Sequence, residues 1–311
     1  MLIYIVLLAA LLPVAILLFY IYKKDKFCPE PTAQLEKAFV FGVLSVPLSL
    51  CVSVPLHLSG IVTYNYATIT ECIGSAFLGA AIPEESAKLF MLWLFLRKNK
   101  FYDEKVDGIV YAVCISLGFA ALENIIYIFG NLDTFVWISF LRALFPVPGH
   151  FCFGIMMGYY YSLAKFYPQS RTTNKILILA APIFAHGVYD SILFVISSEI
   201  SALLSFILMI VFLVLCCKMW KLANRKINEH LERDRETLQE QPECNIEGYC
   251  DCNDLQGQSE CNIEENGDCN DSQEQPEYNI EGYCDCNDLQ EQPEYNIEEN
   301  GDCNENLNPK N

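Results

Sequence analysis

The chain has 311 residues, is 53% hydrophobic with 13% aromatic side chains, and carries a net charge of −18. The charge is segregated: residues 236–311 hold 22 acidic side chains and one Lys, which accounts for −21 and leaves +3 for the rest. The two parts are different materials, an apolar body and an acidic tail, and neither has the basic face that a nucleic-acid partner requires.

The first element is LIYIVLLAALLPVAILLFYIY, about twenty uncharged residues running into KKDK, enough to cross a bilayer core of roughly 30 Å. No basic residue precedes it, so it reads as a retained helix rather than a cleaved signal peptide. Further apolar runs lie at 38–58, 67–96, 108–129, 135–164, 176–197 and 200–217. The expected fold class is therefore all-α: a polytopic transmembrane bundle of seven to eight helices. The third and fifth runs exceed the roughly 20 residues of one span, and Pro83, Pro146 and Pro148 mark where they would kink or split.

Lys and Arg cluster after the first, third, fifth and last runs, at Lys23 to Lys26, Arg97 to Lys105, Lys165 to Lys175 and Lys218 to Lys226. The intervening loops, HLSGIVTYNY, GNLDT and SSEIS, have none. Seven crossings with the N-terminus outside or lumenal and the C-terminus cytosolic satisfy every loop.

Ionisable residues inside such spans cost about 2.5–3.5 kcal/mol each and mark function or pairing. They are Glu84, Glu85 and Lys88 in the third run, Glu123 with Asn124 in the fourth, Arg142 and His150 in the fifth, and His186 and Asp190 in the sixth. Glu84 and Lys88 are four apart, as are His186 and Asp190, so each pair shares a helix face. Counted from the cytosolic end at about 1.5 Å per residue, Glu84, Glu123 and His150 lie roughly 20–22 Å deep and His186 roughly 15 Å. Four helices thus place ionisable groups in one slab.

Carboxylates and imidazoles converging there permit two chemistries. They can hold a divalent metal, zinc above all, or a Glu can act as general base on water with a His as donor. Structural readings stand beside these: Glu84 and Lys88 as a neutralising ion pair that leaves Glu85 unexplained, Asn124 and Arg142 as interhelical glue, and Gly154 and Gly158 as a close-packing GxxxG. The same buried Glu, His and Asp groups would also serve an ion-coupled transporter or proton relay.

The blocks KKDKFCPEP (23–31), PEESAK (83–88), VDGIVYAVCISLGFAALENIIY (106–127), GHFCFGIMMG (149–158) and HGVYD (186–190) together resemble the PrsW family of intramembrane proteases, related to the CAAX-prenyl-protease-like membrane hydrolases. They stand in order across most of residues 20–195; Ala112 departs from a Gly usual in the third block. The resemblance implies an intramembrane endopeptidase that cleaves membrane-anchored proteins. Glu84 and Glu85 would be catalytic carboxylates, Glu84 the activator of water, with His150 sharing that water or a metal. His186 and Asp190 would be metal ligands or would stabilise the oxyanion, and Glu123 would complete the polar cluster. The expected metal ligands are His150, His186, Asp190 and Glu84.

Residues 1–220 are expected to form the membrane domain and 221–235 a charged juxtamembrane helix, in which His230 reads as a surface residue. Residues 236–311 form an acidic tail of four 17-residue repeats, PECNIEGYCDCNDLQGQ from 242 being the first. The tail is too polar to offset its ordering entropy, so it is expected to be disordered and able to dock a basic partner. The spacing of its cysteines fits no zinc module.

Overall fold

The computed structural model describes residues 2–25, 29–63, 66–198 and 201–240, which contain helices and no strand. In chain order these are α1 (Leu2–Lys24), α2 (Thr32–Leu58), α3 (Ile69–Gly74), a π-helical segment (Ser75–Ala81), α4 (Ile82–Leu96), α5 (Lys105–Phe129), α6 (Phe135–Leu144), α7 (Pro146–Phe166), α8 (Arg171–Ser197) and α9 (Ala202–Glu240). Six helical runs are long and apolar enough to cross a membrane. The third apolar run is a seventh helical stretch, α3 through α4.

Both overlong runs are interrupted near their prolines. Phe145, at φ −122° and ψ −69°, separates α6 from α7 immediately before Pro146; proline's missing N–H and the crowding of its ring against the preceding residue favour a helix break there. Ahead of Pro83, Ile82 donates its backbone N–H to the Phe77 carbonyl, an i to i−5 bond. Proline cannot donate the next ladder bond, and the wider turn absorbs that loss.

α5 is the central helix: every residue from Val106 to Ala121 is buried. A helix apolar on all sides needs neighbours on all sides, and α2 and α7 cross it at glycines. A Cβ on Gly42 would come 2.0 Å from the Ile115 carbonyl oxygen, and one on Gly158 would come 2.2 Å from that of Gly108. With Gly154 facing Ser116, the GxxxG of α7 is a close-packing surface. Small residues at such crossings let backbones approach where lipid gives no hydrophobic drive to associate. The outer faces of α1 and α9 instead expose large apolar side chains such as Leu8, Phe19, Leu203 and Phe206.

The segments after α1, α4 and α7 gather at one end of the bundle with the last turns of α9. Lys105 Nζ donates to Asp234 Oδ1 at 3.1 Å, the Tyr102 and Ser162 hydroxyls are 3.0 Å apart, and the Tyr111 hydroxyl donates to Glu30. α9 runs unbroken from the membrane through residues 221–235. His230 is not the surface residue expected: it is fully buried, stacked 4.4 Å from the Tyr159 ring, because α9 docks back onto α7. The repeats from 242 onward, and the disorder and docking expected of them, lie outside the described residues.

At that end burial pushes the Glu30 carboxyl up to about 8, its hydrogen bond from Tyr111 opposing the shift, and pushes Asp25 up to about 6. The fold favours the protonated form, so its contribution to stability is complete below the ordinary value of 4.5 and is lost as pH rises through about 8. Thermal unfolding in detergent is expected to show a midpoint falling across that interval, and Glu30→Gln is expected to flatten the fall.

Candidate active site

Glu84, Glu85 and Lys88 lie in the first two turns of α4, directly after the π-helical segment. Such segments recur at functional sites because they re-aim the residues that follow. Successive helical residues point about 100° apart, so the two carboxylates meet different neighbours. Glu85 is fully buried; its Oε1 accepts from Lys88 Nζ at 2.8 Å and lies 2.9 Å from His186 Nδ1. Its Oε2 is buried with no hydrogen-bond partner. Glu84 has a side chain 16% exposed and looser neighbours, Lys88 Nζ at 3.5 Å and His186 Nε2 at 4.0 Å.

Lys88 is the hub. Its side chain is 1% exposed, and Nζ also lies 3.1 Å from His150 Nδ1 and 4.1 Å from the centre of the Phe119 ring. An ammonium only donates, so Nδ1 is the acceptor and the imidazole carries its proton on Nε2. That Nε2–H donates to Glu123 Oε2 at 2.8 Å. Glu123 is held in turn by Arg142, whose terminal nitrogen is 2.8 Å away, while Arg142 Nε donates to Asn124 Oδ1 at 2.5 Å. Asn124 Nδ2 donates to the Ala10 carbonyl at 3.0 Å, tying α5 to α1. Across the cluster, His186 stacks on Phe153 at 4.7 Å and its Nε2 is 3.2 Å from Asp190 Oδ2.

The structure therefore brings Glu84, Glu85, Glu123, His150, His186 and Asp190 into one buried network spanning α4, α5, α7 and α8. Ligand atoms of Glu84, Glu85 and His150 all lie within 4.8 Å of one another. His186 and Asp190 lie beside this trio: both ring nitrogens of His186 face carboxylates. The polar list in the sequence included Arg142, but its pairing with Glu123 was not legible, because α6 precedes a break that spacing does not orient. The flanking rings of Phe119 and Phe153 were also missed. Their signal was helical spacing, Phe119 four before Glu123 and Phe153 three after His150.

Residues 30–216 match the family model described as the PrsW family intramembrane metalloprotease. The chain belongs to the PrsW family. Its relatives named Protease PrsW include that of Clostridioides difficile (strain 630), 35% identical over 237 residues, 74% of this chain and 93% of the relative. Those of Geobacillus kaustophilus (strain HTA426) and Bacillus subtilis (strain 168) are 39% identical over 186 residues and 35% identical over 204. These spans cover 60% and 64% of this chain and 78% and 87% of the respective relatives. No solved structure matches the chain. Membership makes it an integral membrane protease, and the transporter reading finds no support among the PrsW proteins.

The family's metalloprotease label agrees with the donor set. Ligand atoms of Glu84, Glu85 and His150 lie close together, Glu85 Oε2 is an orphaned buried acceptor, and Glu123 holds the His150 nitrogen that faces away from Lys88, whose ammonium a bound ion would displace from Nδ1. A carboxylate behind a histidine is the usual support for a metal-ligating ring. These residues could hold a metal ion.

Arg142 is the charge that lets Glu123 remain among apolar helices. Arg142→Met is expected to destabilise the protein by about 3 kcal/mol by stranding that carboxylate, and adding Glu123→Gln is expected to restore much of the loss. Thermal unfolding of the two variants beside the parent checks this.

Proposed function

We propose that this PrsW-family protein is an endopeptidase that cleaves membrane-anchored protein substrates by attack of a water molecule activated at Glu84. The observation that carries the reading is the unequal setting of the paired carboxylates. Glu85 is sealed between Lys88 and His186, whereas Glu84 is partly open and only loosely paired. A base must reach its water, and only Glu84 of the pair can.

Glu84 takes a proton from the attacking water and later passes it to the leaving amine nitrogen. Lys88 keeps the two adjacent carboxylates from repelling each other and fixes Glu85. His186 Nε2, between Asp190 and the Glu84 side of the cluster, is the donor positioned to meet charge developing on the carbonyl oxygen. Glu123 and Arg142 orient His150. Glu84, Glu85 and His150 would hold a divalent ion, with zinc the best match to mixed nitrogen and oxygen donors. When bound, such an ion supplies Lewis-acid polarisation of the carbonyl and lowers the pKa of water. His186 fits the donor role better than ligation, since carboxylates at both ring nitrogens, Glu85 and Asp190, favour an imidazole protonated on both, which has no lone pair for a metal. The Lys- and Arg-bearing end is assigned to the cytosol and the N-terminus to the outer or lumenal side.

Protein termini in membranes from cells expressing the parent or Glu84→Gln at equal abundance provide the test. New termini beside membrane spans are expected with the parent alone, and the variant is expected to cut at least about 10²-fold more slowly. Equal termini in the two samples would remove Glu84 from the chemistry. Elemental analysis of purified protein is expected to find near-stoichiometric zinc that is lost in His150→Gln; a folded, active parent with no bound metal would leave the Glu84 base acting alone.

A further inference from the structure

A cavity of about 910 Å³ lies between α4, α7 and α8, away from the polar cluster. It runs along α4 for about three turns, from Ser86, the neighbour of Glu85, to Arg97 at the helix end. Its walls are apolar, formed by Leu89, Phe90, Trp93, Tyr161, Ile178 and Leu179. Trp93 is 46% exposed, so the cavity is an open groove.

The basic end is differently made. Arg97, Arg171 and Lys175 line it, all exposed, and none forms an ion pair with a carboxylate among the described residues. Arg97 lies 5.1 Å over the Trp93 ring, and Arg171 Nε donates to the Ala164 carbonyl at 3.0 Å, so both are held at the mouth. Lys165, the fourth cation there, turns its ammonium to the Tyr102 carbonyl. The proposed catalytic network uses none of these side chains.

We infer that this groove is a binding site for one anionic phospholipid, its acyl chains along the apolar wall and its phosphate at Arg97, Arg171 and Lys175. Three uncompensated cations at the membrane surface, above an apolar slot open to the bilayer, are complementary to a negatively charged headgroup on hydrocarbon tails. A zwitterionic lipid fits the slot equally and gains nothing net from the cations. Each cation near an anionic surface favours it by roughly fivefold.

Trp93 reports directly on the occupant. The full chain carrying Trp137→Phe and Trp220→Phe keeps Trp93 as its single tryptophan. It is reconstituted in vesicles containing phosphatidylglycerol or phosphatidylcholine brominated on one acyl chain. Half-quenching of Trp93 is expected at a several-fold lower mole fraction of the brominated phosphatidylglycerol. With Arg171→Gln and Lys175→Gln, which leave the Arg97 stack on Trp93 intact, the preference is expected to shrink to a fraction of the parent's, the part owed to Arg97 alone. A matching protein with Trp137 alone, on α6, is expected to show no preference. Equal quenching by the two lipids in the parent, a preference undiminished by both substitutions, or the same preference at Trp137 would each overturn the site and leave only general lipid contact.

Discussion

The arrangement depends on Lys88 holding one positive charge among acceptors that could not otherwise share an apolar bundle. Two carboxylates on consecutive residues, buried where lipid surrounds the helices, repel each other and lose their hydration. Nζ contacts Glu85, Glu84 and His150 at 2.8, 3.5 and 3.1 Å. It converts that repulsion into a single charged hub. Because it can only donate, it also sets the His150 tautomer, and with it the partnership of Nε2 and Glu123.

The hub works only because the backbones around it come close. α5 can bring Glu123 to His150 on α7 because Gly158 and Gly154 let α7 lie against its surface, and Gly42 and Gly118 do the same between α2 and α5. Beyond Glu123 the network continues through Arg142 and Asn124 to a backbone carbonyl of α1, and beyond Glu85 through His186 to Asp190. Six helices are therefore fixed by side-chain contacts that satisfy one another. In an apolar surround each unpaired member costs its full desolvation, and Glu85 Oε2 is a buried atom of this network that stands without a hydrogen-bond partner.

What the sequence made legible was depth and order. Apolar run lengths gave the crossings, and counting along them put Glu84, Glu123, His150 and His186 at matching levels, which the network joins. Rotation about each helix axis was not legible. The π-helical turn before Pro83 shifts the faces of α3 relative to α4, and the break at Phe145 frees α6 to turn Arg142 toward Glu123. Neither rotation follows from counting residues. His230 was misjudged for a similar reason: the charged sequence from 221 suggested solvent on all sides, but Asp234 pairs with Lys105 and draws α9 over Tyr159. Composition identifies a polar helix and not the face by which it docks.

The adjacent pair Glu84 and Glu85 suggests why one helix turn carries both a support and a reagent. Placed on consecutive residues, the two carboxylates share a backbone and a depth but differ by about 100° in direction. One can be pinned through a single oxygen by Lys88 and His186, and so anchor the turn, without the other being held as tightly. A single carboxylate could not do both, since the contacts that make it rigid are those that would exclude water from it. Spacing the two by a full turn would aim them at the same neighbours and set them competing for Lys88. Adjacency separates rigidity from access while keeping both within reach of one ammonium, and this is the physical content of the EExxK pattern in this chain.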